Sequence, residues 1–277
     1  MHALNHELST CVLGSSSAGN ATVVWNANSA ILIDCGFSPG YIANQLQKLG
    51  LSLQSLEAVF LTHIHRDHVN EWTVSRLVKE EIPLYCPPTI EPYLTKKYGI
   101  LAIASHKGLL RTIRKSEIGL NDFLVRHFEV PHDSEGGCYG YNVFYESGRK
   151  TKKVSVSTDI AYPTKSVVNH MADSDVIVLE SNYDVQMLED SSRPSWLKRR
   201  IREEGHLSND QCGDSALQIL EKSKTLPKIF ALAHVSRECN TNKLARECTS
   251  AALEKQGIRG IDLFETHPFE PGRTMRV

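Results

Sequence analysis

The sequence predicts a layered α/β domain, because short apolar runs typical of strands alternate with amphipathic helical segments along its whole length. Hydrophobic residues make up 41% of the 277 positions and charged residues 23%, which is an ordinary globular balance. The sequence contains no obvious linker, internal repeat or low-complexity segment. We therefore expect residues 1–277 to form a single domain.

The first half of the chain predicts four main strands and two helices, followed by a short strand and the start of another helix between Pro83 and Pro92. The predicted strands cover residues 8–13, 21–25, 30–34 and 58–61, and the helices cover residues 39–49 and 72–79. Gly50 is a typical stop for the first helix. The glycine-bounded segment 14–20 is either a loop where a ligand approaches the backbone or a simple hairpin turn. The basic stretch from His106 to Lys115 is predicted to be a solvated connector.

The second half predicts a similar alternation of strands and helices. The predicted strands cover residues 123–130, 137–145, 153–157, 175–179, 228–233 and 258–264, and the helices cover residues 208–220 and 242–255. Ser208 is the predicted cap of the first of these helices, whose apolar residues share one face. The chain is then expected to end in a polar tail.

Charge and cysteine content limit the possible classes of protein. The formal net charge is −1, so nucleic-acid binding would need a local basic patch. Seven scattered cysteines without a Cys-x-x-Cys pair argue against a disulfide framework and against thiolate zinc sites. The N-terminus lacks the pattern of a signal peptide, and no apolar run reaches the ~18 residues needed to span a bilayer. These features predict a soluble, cytoplasmic protein without a membrane partner.

The densest group of candidate metal ligands lies directly after the strand predicted at 58–61. His63, His65, Asp67 and His68 fall within six consecutive residues. A strand sends alternate side chains to one face, so the first two histidines can leave its end side by side. A following turn can bring the other two side chains toward a second ion. Imidazole and carboxylate suit zinc, manganese or iron, and two ions about 3.5–4 Å apart are typical of phosphate-ester hydrolysis.

Further candidate ligands follow other predicted strands. These are His132, Asp159, Glu180 and His234. Loops at strand ends are where rigid α/β scaffolds place their chemistry. Asp34 also follows a strand, and it is either a partner that fixes a ligand's tautomer or a turn or cap residue. The remaining histidines outside the motifs are interpreted as structural or exposed. They are His2, His6, His106, His127, His170 and His267.

The order of these residues resembles that of the metallo-β-lactamase superfamily. The resemblance rests on Thr-His-x-His-x-Asp-His at 62–68, a histidine after a later strand, an aspartate after the next, and a final strand-end histidine. It implies a four-layer αββα sandwich with the site along one edge. It also implies a first metal held by His63, His65 and His132, a second held by Asp67, His68 and His234, and a bridging Asp159. A metal-bridging hydroxide would be the nucleophile.

More narrowly, the chain resembles the WalJ/YycJ branch, bacterial proteins linked to DNA exonuclease activity. Segments 14–20, 180–184, 205–209 and 233–240 carry this resemblance, and two of them are also similar to ribonuclease Z. Carried over, Glu180 would orient His206, and His206 would donate a proton to the departing oxygen. Asp67, Glu180 and His206 are thus the predicted catalytic residues. The motif segments also supply predicted substrate contacts at Ser15, Ser16, Asn20, Asn182 and Ser208.

A basic run just upstream of His206 is a candidate phosphate-binding surface. It comprises Arg193, Lys198, Arg199, Arg200 and Arg202, with Trp196 available to stack on a base. The alternative is a solvated helix face, since Glu203 and Glu204 follow at once. Too few residues separate Asp159 from His206 for the inserted nucleic-acid domain of ribonuclease J. We therefore expect the core domain itself to bind the substrate.

Three functions are compatible with these observations. The first is a dinuclear-metal phosphodiesterase, most simply a 5′-to-3′ DNA exonuclease with zinc or manganese, iron being a further option. The second is a small-molecule hydrolase of the same fold, such as a cyclic phosphodiesterase, a thioesterase or a lactonase. The third is a non-catalytic scaffold, although every expected ligand position is filled. The sequence leaves the native metal and the oligomeric state open.

Overall fold

Two mixed β-sheets lie face to face in the computed structural model, which describes residues 7–148 and 150–277. The strands are β1 (Ser9–Ser16), β2 (Gly19–Trp25), β3 (Ala30–Ile33), β4 (Leu56–Phe60), β5 (Leu84–Cys86), β6 (Leu110–Thr112), β7 (Glu117–Gly119), β8 (Phe123–Val130), β9 (Cys138–Ser147), β10 (Lys150–Ser157), β11 (Val176–Glu180), β12 (Ile229–Ala233), β13 (Asp262–Glu265) and β14 (Met275–Arg276). The first sheet has the order β14-β1-β2-β3-β4-β5-β6, and the second has the order β13-β12-β11-β10-β9-β8-β7.

Helices cover the outer face of each sheet. They are α1 (Pro39–Lys48), α2 (Glu71–Lys79), α3 (Glu91–Lys97), α4 (Gly99–His106), α5 (Lys165–Met171), α6 (Val185–Asp190), α7 (Ser195–Arg200), α8 (Asn209–Lys222) and α9 (Asn242–Lys255). A short 3₁₀ turn at Leu53–Ser55 precedes β4, and a π-helical turn at Ile201–Gly205 continues α7. Helices α1 to α4 pack on the first sheet, and α5, α8 and α9 pack on the second. The predicted four-layer αββα sandwich is therefore confirmed.

Three apolar clusters hold these layers together. The central cluster lies between the sheets and includes Phe60 and Tyr141, whose rings meet edge to face at 5.4 Å. The alternating residues of the same strands face outward, so Leu32 packs under α1 and α2 while Leu232 packs under α8 and α9. Deleting a buried aromatic such as Phe60 would cost about 3–5 kcal/mol, because the surrounding layers cannot collapse into the space.

Each sheet joins antiparallel strands to parallel ones. Strands β3 to β6 are mutually parallel in the first sheet, and β10 to β13 are parallel in the second. Parallel strands end at the same edge of a sheet, so the loops that follow them gather there. This edge carries the candidate site.

The structure decides one alternative that the sequence left open, in favour of a hairpin, and it differs from other sequence-based expectations. Strands β1 and β2 run through most of segment 14–20, so that segment is a hairpin with its turn at Ser17 and Ala18. Strand β6 lies within the predicted connector, where its backbone pairs with β5. The predicted polar tail ends in β14, which pairs with β1.

Among the described residues, no helix is both long and apolar enough to cross a bilayer.

Candidate metal centre

The side chains of the site leave the carboxyl ends of the parallel strands. Asp34, Asp159 and His234 come directly after β3, β10 and β12, or one residue beyond. All three have a left-handed backbone, with φ of 60°, 58° and 55° respectively. Non-glycine residues pay of order 1–3 kcal/mol for such a conformation, so the surrounding structure must hold them there. Backbone strain is thus concentrated at this edge.

The first cluster contains the three histidines of the first predicted metal site. His65 Nδ1 lies 3.0 Å from His63 Nε2 and 3.2 Å from His132 Nε2. Thr62 Oγ1 lies 2.9 Å from His63 Nδ1, and the Gly205 carbonyl accepts from His132 Nδ1 at 2.8 Å. These bonds leave the Nε2 atoms of both rings facing His65. Burial lowers the pKa of His63 and His132, and it lowers that of His65 to about 4.

The second cluster combines two histidines with two carboxylates. Its members are Asp67, His68, Asp159 and His234. His68 Nε2 lies 2.9 Å from Asp159 Oδ2 and 3.5 Å from Asp67 Oδ2, and His234 Nε2 lies 3.5 Å from that Asp67 atom. Asp159 also reaches the first cluster, because its Oδ1 lies 3.8 Å from His132 Nε2. The structure thus places Asp159 between the two clusters, where a bridging ligand is expected.

The histidines of the second cluster have raised pKa values, whereas those of the first cluster have lowered ones. Burial alone would lower the pKa of both histidines, but the charge of Asp159 and the neighbouring carboxylates outweigh it. The pKa of His68 is raised well above its usual value, and that of His234 is raised to about 10. Burial would likewise raise the pKa of Asp67 and Asp159, yet the facing histidines lower both. Without metal, protonated imidazoles therefore balance the buried carboxylates.

Asp34 orients ligands of both clusters. Its Oδ2 accepts from His68 Nδ1 at 2.7 Å, which leaves His68 Nε2 free to face Asp159. Its carboxylate also accepts the Thr62 hydroxyl at 2.9 Å, so that hydroxyl in turn accepts from His63 Nδ1. Fixing the ring tautomer in this way is the usual work of carboxylates behind metal-binding histidines.

The residues present fit divalent metal ions. The buried atoms Asp159 Oδ2 and His234 Nε2 make no hydrogen bond of good geometry among the described residues, and they face only other members of the cluster, His68 Nε2 at 2.9 Å and Asp67 Oδ2 at 3.5 Å. Buried polar atoms are rarely left unpaired, since each costs roughly 1–3 kcal/mol. A cation at this point would satisfy both. The mixture of imidazole nitrogen and carboxylate oxygen suits zinc, manganese or iron.

Glu180 and His206 border the second cluster. Glu180 is fully buried, and its Oε2 accepts the backbone N–H groups of Ile160 and Leu207 at 2.9 and 3.1 Å. Its Oε1 lies 2.9 Å from His206 Nδ1 and 2.7 Å from His234 Nδ1. Burial would raise the pKa of Glu180, but these two histidines outweigh it and lower the pKa to about 2. An ionised Glu180 therefore fixes His206, whose side chain keeps 21% exposure on the open side.

Residues of the β1–β2 hairpin contact two histidines of the second cluster, His68 and His234, from the interior of the protein. The His234 backbone N–H donates to Ser15 Oγ at 2.8 Å, and that hydroxyl donates to Asn20 Oδ1 at 2.7 Å. Asn20 Nδ2 lies 3.0 Å from His68 Nε2. Ser15, Ser16 and Asn20 are almost completely buried. The structure thus places these three predicted substrate contacts in the interior, and Ser17 is the hairpin residue that lines the open cavity.

The other two predicted substrate contacts from the motif segments are also internal. Asn182 Nδ2 donates to the His234 carbonyl at 2.7 Å, and Ser208 Oγ accepts from the Gln211 N–H at the start of α8. Both side chains are buried. They hold the loops that carry His234 and His206 rather than facing solvent.

A cavity of about 410 Å³ opens above the clusters, and only part of the predicted basic run reaches it. Arg193 and Arg200 line it. Lys198 and Arg202 instead bond to the backbone and the side chain of Glu189. Arg199 and Trp196 are exposed but do not line this cavity. The basic run therefore divides into cavity-facing and outward-facing cations.

Two cations that the sequence reasoning missed also line the cavity. Arg66 occupies the variable position between His65 and Asp67, and Lys97 comes from the end of α3. Lys97 Nζ donates to the Ile64 carbonyl at 2.9 Å, which ties α3 to the motif loop. The position of Arg66 inside the motif was the only available signal, because Lys97 approaches through tertiary packing alone.

The class of protein follows from this combination of fold and site, which is that of the metal-dependent hydrolases. The chain matches the family described as "Beta-lactamase superfamily domain" over residues 29–235, well over half of its length, and it belongs to that family. The resemblance expected from the motif at 62–68 is thereby confirmed.

Curated relatives cover nearly the whole chain. An "Exodeoxyribonuclease YycJ" of Bacillus anthracis is 27% identical over 267 residues, which cover 96% of this chain and 97% of the relative. An "Exodeoxyribonuclease WalJ" of Streptococcus pneumoniae serotype 2 is 28% identical over 262 residues, 93% of each chain. Among solved structures, Zn²⁺-bound PqqB from Methylobacterium extorquens superposes with a TM-score of 0.67 at 17% identity, covering 96% of this chain and 99% of that one. The last likeness concerns the fold alone.

Proposed function

We propose that this protein is a dinuclear-metal phosphodiesterase that degrades DNA from the 5′ end. The observation that carries the proposal is the cavity above the two clusters, which four cations line: Arg66, Lys97, Arg193 and Arg200. Positive side chains beside a metal centre position phosphates. The names of the curated relatives, both exodeoxyribonucleases, support the choice of DNA as substrate.

The residues that would hold two divalent ions are those of the two clusters. They are His63, His65 and His132 for one ion, Asp67, His68 and His234 for the other, and Asp159 between them. Such ions supply Lewis acidity and neutralise charge on the phosphate. The protein's own part is to fix the ligand tautomers through Asp34 and Gly205, and to hold the phosphate with the cavity cations.

Departure of the leaving group is the step assigned to His206. The Glu180 carboxylate accepts from His206 Nδ1, so His206 Nε2 is the ring atom free to hand a proton to a substrate oxygen. For a 5′ exonuclease, water adds to phosphorus and gives up one proton to solvent, and the bond from phosphorus to the 3′ oxygen breaks. That oxygen takes the His206 proton. The released nucleotide then lies on the His206 side, and the 5′ phosphate stays with the retained strand.

A degradation time course tests both activity and polarity. Duplexes labelled at the 5′ or the 3′ end are incubated with zinc or manganese and wild type, His65→Ala, His206→Ala and an exposed control, His106→Ala. We expect early release of the 5′ label as mononucleotides, abolished in His65→Ala, slowed by about 10²–10⁴-fold in His206→Ala and unchanged in His106→Ala. Release of the 3′ label first would refute the polarity, and intact DNA in every reaction would refute the nuclease.

A small-molecule hydrolase is the second candidate, and one observation favours it. Arg193 is paired with Glu238 and Arg200 with Asp133, so two of the four cavity cations are already partly neutralised. The two candidates separate in a paired substitution. For a nuclease, Arg200→Ala should weaken DNA hydrolysis and its salt dependence, while Arg202→Ala, which loses only a contact to Glu189, should not. Equal behaviour of both variants on DNA, with turnover of a small phosphodiester retained, would favour the small substrate.

A further inference from the structure

A second hollow adjoins the metal-centre cavity and shares Arg66 with it. This hollow has a volume of about 270 Å³ and is lined by Arg66, Val69, Asn70, Glu71, Trp72 and Tyr98. All of these residues come from the first half of the chain. His206, Arg193 and Arg200 come from the second half and line only the first cavity. The two cavities meet at Arg66, so a long ligand bound at the metal centre has room to continue into this hollow.

Arg66 is the cavity cation that is free to bind an anion. Among the described residues it has no hydrogen bond or ion pair, whereas Arg193, Arg200 and Lys97 each contact a protein oxygen. Arg66 is also exposed. An unpaired guanidinium loses no partner when a phosphate arrives, so it is the best placed of the four to bind one.

Trp72 gives the hollow a stacking surface. Its side chain is 77% exposed, the largest exposed fraction among the large hydrophobic residues described. Its backbone is nevertheless fixed at the start of α2, because Asn70 Oδ1 accepts the N–H groups of Trp72 and Thr73 at 3.1 and 3.2 Å. A large exposed indole on a rigid helix is costly in water and suits a planar aromatic ligand. Glu71 beside it disfavours a phosphate at that end, which places the phosphate at Arg66 and the base at Trp72.

We propose that Arg66 and Trp72 bind the retained DNA strand on the 3′ side of the scissile phosphate, Arg66 through a backbone phosphate and Trp72 by stacking on a base. The inference rests on the proposed function, because His206 on the other wall then serves the released nucleotide. Stacking on an exposed aromatic is tolerant of sequence, which suits an enzyme that removes successive nucleotides of any identity. The hollow is thus the side from which the retained strand enters the site, and this accounts for cations on both walls of the cavity.

Substrate length separates this inference from the proposed function. We compare kcat/KM on a single strand of about twelve nucleotides with kcat/KM on a dinucleotide, whose retained part is one nucleotide. Trp72→Ala is expected to lower the ratio of the two values about tenfold, and Trp72→Phe, which keeps an aromatic face, to restore most of it. Trp196→Ala is the matched control, since Trp196 is 61% exposed but lines neither hollow nor cavity. Arg66→Gln should reduce the slope of log affinity against log salt by about 0.7.

A binding measurement without catalysis completes the test. In chelator, titration of the full chain with oligothymidylate should quench tryptophan fluorescence, and Trp72→Phe should lose most of that quenching while Trp196→Phe keeps it. If wild type hydrolyses DNA, but Trp72→Ala keeps the wild-type length ratio and Trp72→Phe keeps the wild-type quenching, the inference is wrong. The proposed nuclease activity would then still stand. If wild type neither hydrolyses nor binds DNA, both fail.

Discussion

The two clusters of the candidate metal centre differ in the charge of their histidines when no metal is bound. For His63, His65 and His132, burial outweighs the nearby carboxylates, so their pKa values fall and the rings are neutral, ready ligands. His68 and His234 face carboxylates, so their pKa values rise and the rings carry protons when no metal is present. The first cluster is therefore prepared to bind metal directly. The second must exchange protons for metal, which makes its occupancy depend on pH.

The largest effect is expected from a substitution at Asp159, because this residue contacts histidines of both clusters. Asp159→Asn keeps a residue that tolerates the left-handed backbone but removes the charge between the clusters. We expect hydrolysis to fall about a thousandfold or more and metal content to drop in both sites. Asp173→Asn is the control, since Asp173 has the same φ of 58° but lies outside the site. Retention of two ions and activity by Asp159→Asn would contradict a shared ligand.

The pH dependence of metal occupancy should separate the clusters next. A histidine with a raised pKa must lose its proton before it binds metal, so the affinity of the second cluster should fall steadily from pH 8 to pH 6. The first cluster should hold its ion throughout, because the pKa of His65 is about 4. Metal content after equilibration at each pH, with calorimetry in buffers of different ionisation enthalpy, measures this. Parallel loss of both ions would show that the two clusters titrate alike.

Asp34→Asn should produce a smaller and uneven effect. The variant weakens the direct bond to His68 in the second cluster, and it reaches His63 only through the Thr62 hydroxyl. We expect the second ion to bind about 10–100-fold more weakly, with a lesser change for the first. Stepwise chelator competition reports the two affinities. If the metal affinity of the first cluster fell more than that of the second, Asp34 would act mainly on the first cluster, contrary to this prediction.

The smallest expected effect is on stability after metal removal. The raised pKa of His234 contributes stability to the metal-free fold that is fully present below pH ~6.5 and is lost as pH rises through about 10. Chelation should therefore lower the unfolding midpoint by only a few degrees at pH 7 and by more at pH 9. Thermal scans with and without chelator at both values check this. If chelation lowered the unfolding midpoint equally at the two pH values, protonated histidines would not be what stabilises the metal-free fold.

The sequence predicted which candidate ligands come together in space better than it predicted what surrounds them. His63, His65, Asp67 and His68 follow one strand, and the periodicity of that strand is a local property. His132, Asp159, Glu180 and His234 were found by the rule that chemistry gathers at strand ends. They converge because the strands that precede them run in one direction: β10, β11 and β12 are parallel neighbours, and β8 has the same direction because it is joined to β10 through the antiparallel β9.

The surroundings depended on packing that no local pattern reveals. Ser15 and Asn20 were predicted to contact substrate, but the hairpin folds against the motif loop and buries them. Arg200 and Arg202 are both arginines of one basic run and look alike in the sequence. At the π-helical turn after α7, however, Arg200 lines the cavity and Arg202 binds Glu189. Lys97 reaches the site from a helix more than thirty residues away in sequence. Such contacts are set by the tertiary fold.

The pairing of β14 with β1 has a consequence for how the protein acquires metal. Strand β1 leads into the hairpin that holds His234 through Ser15, and its other neighbour is the last strand of the chain. His132 in turn is oriented by Gly205, which lies far downstream. Both clusters thus depend on contacts between segments that lie far apart in the sequence. We expect the topology to form first and the ions to enter a finished cavity, the reverse of a zinc finger, in which metal drives folding.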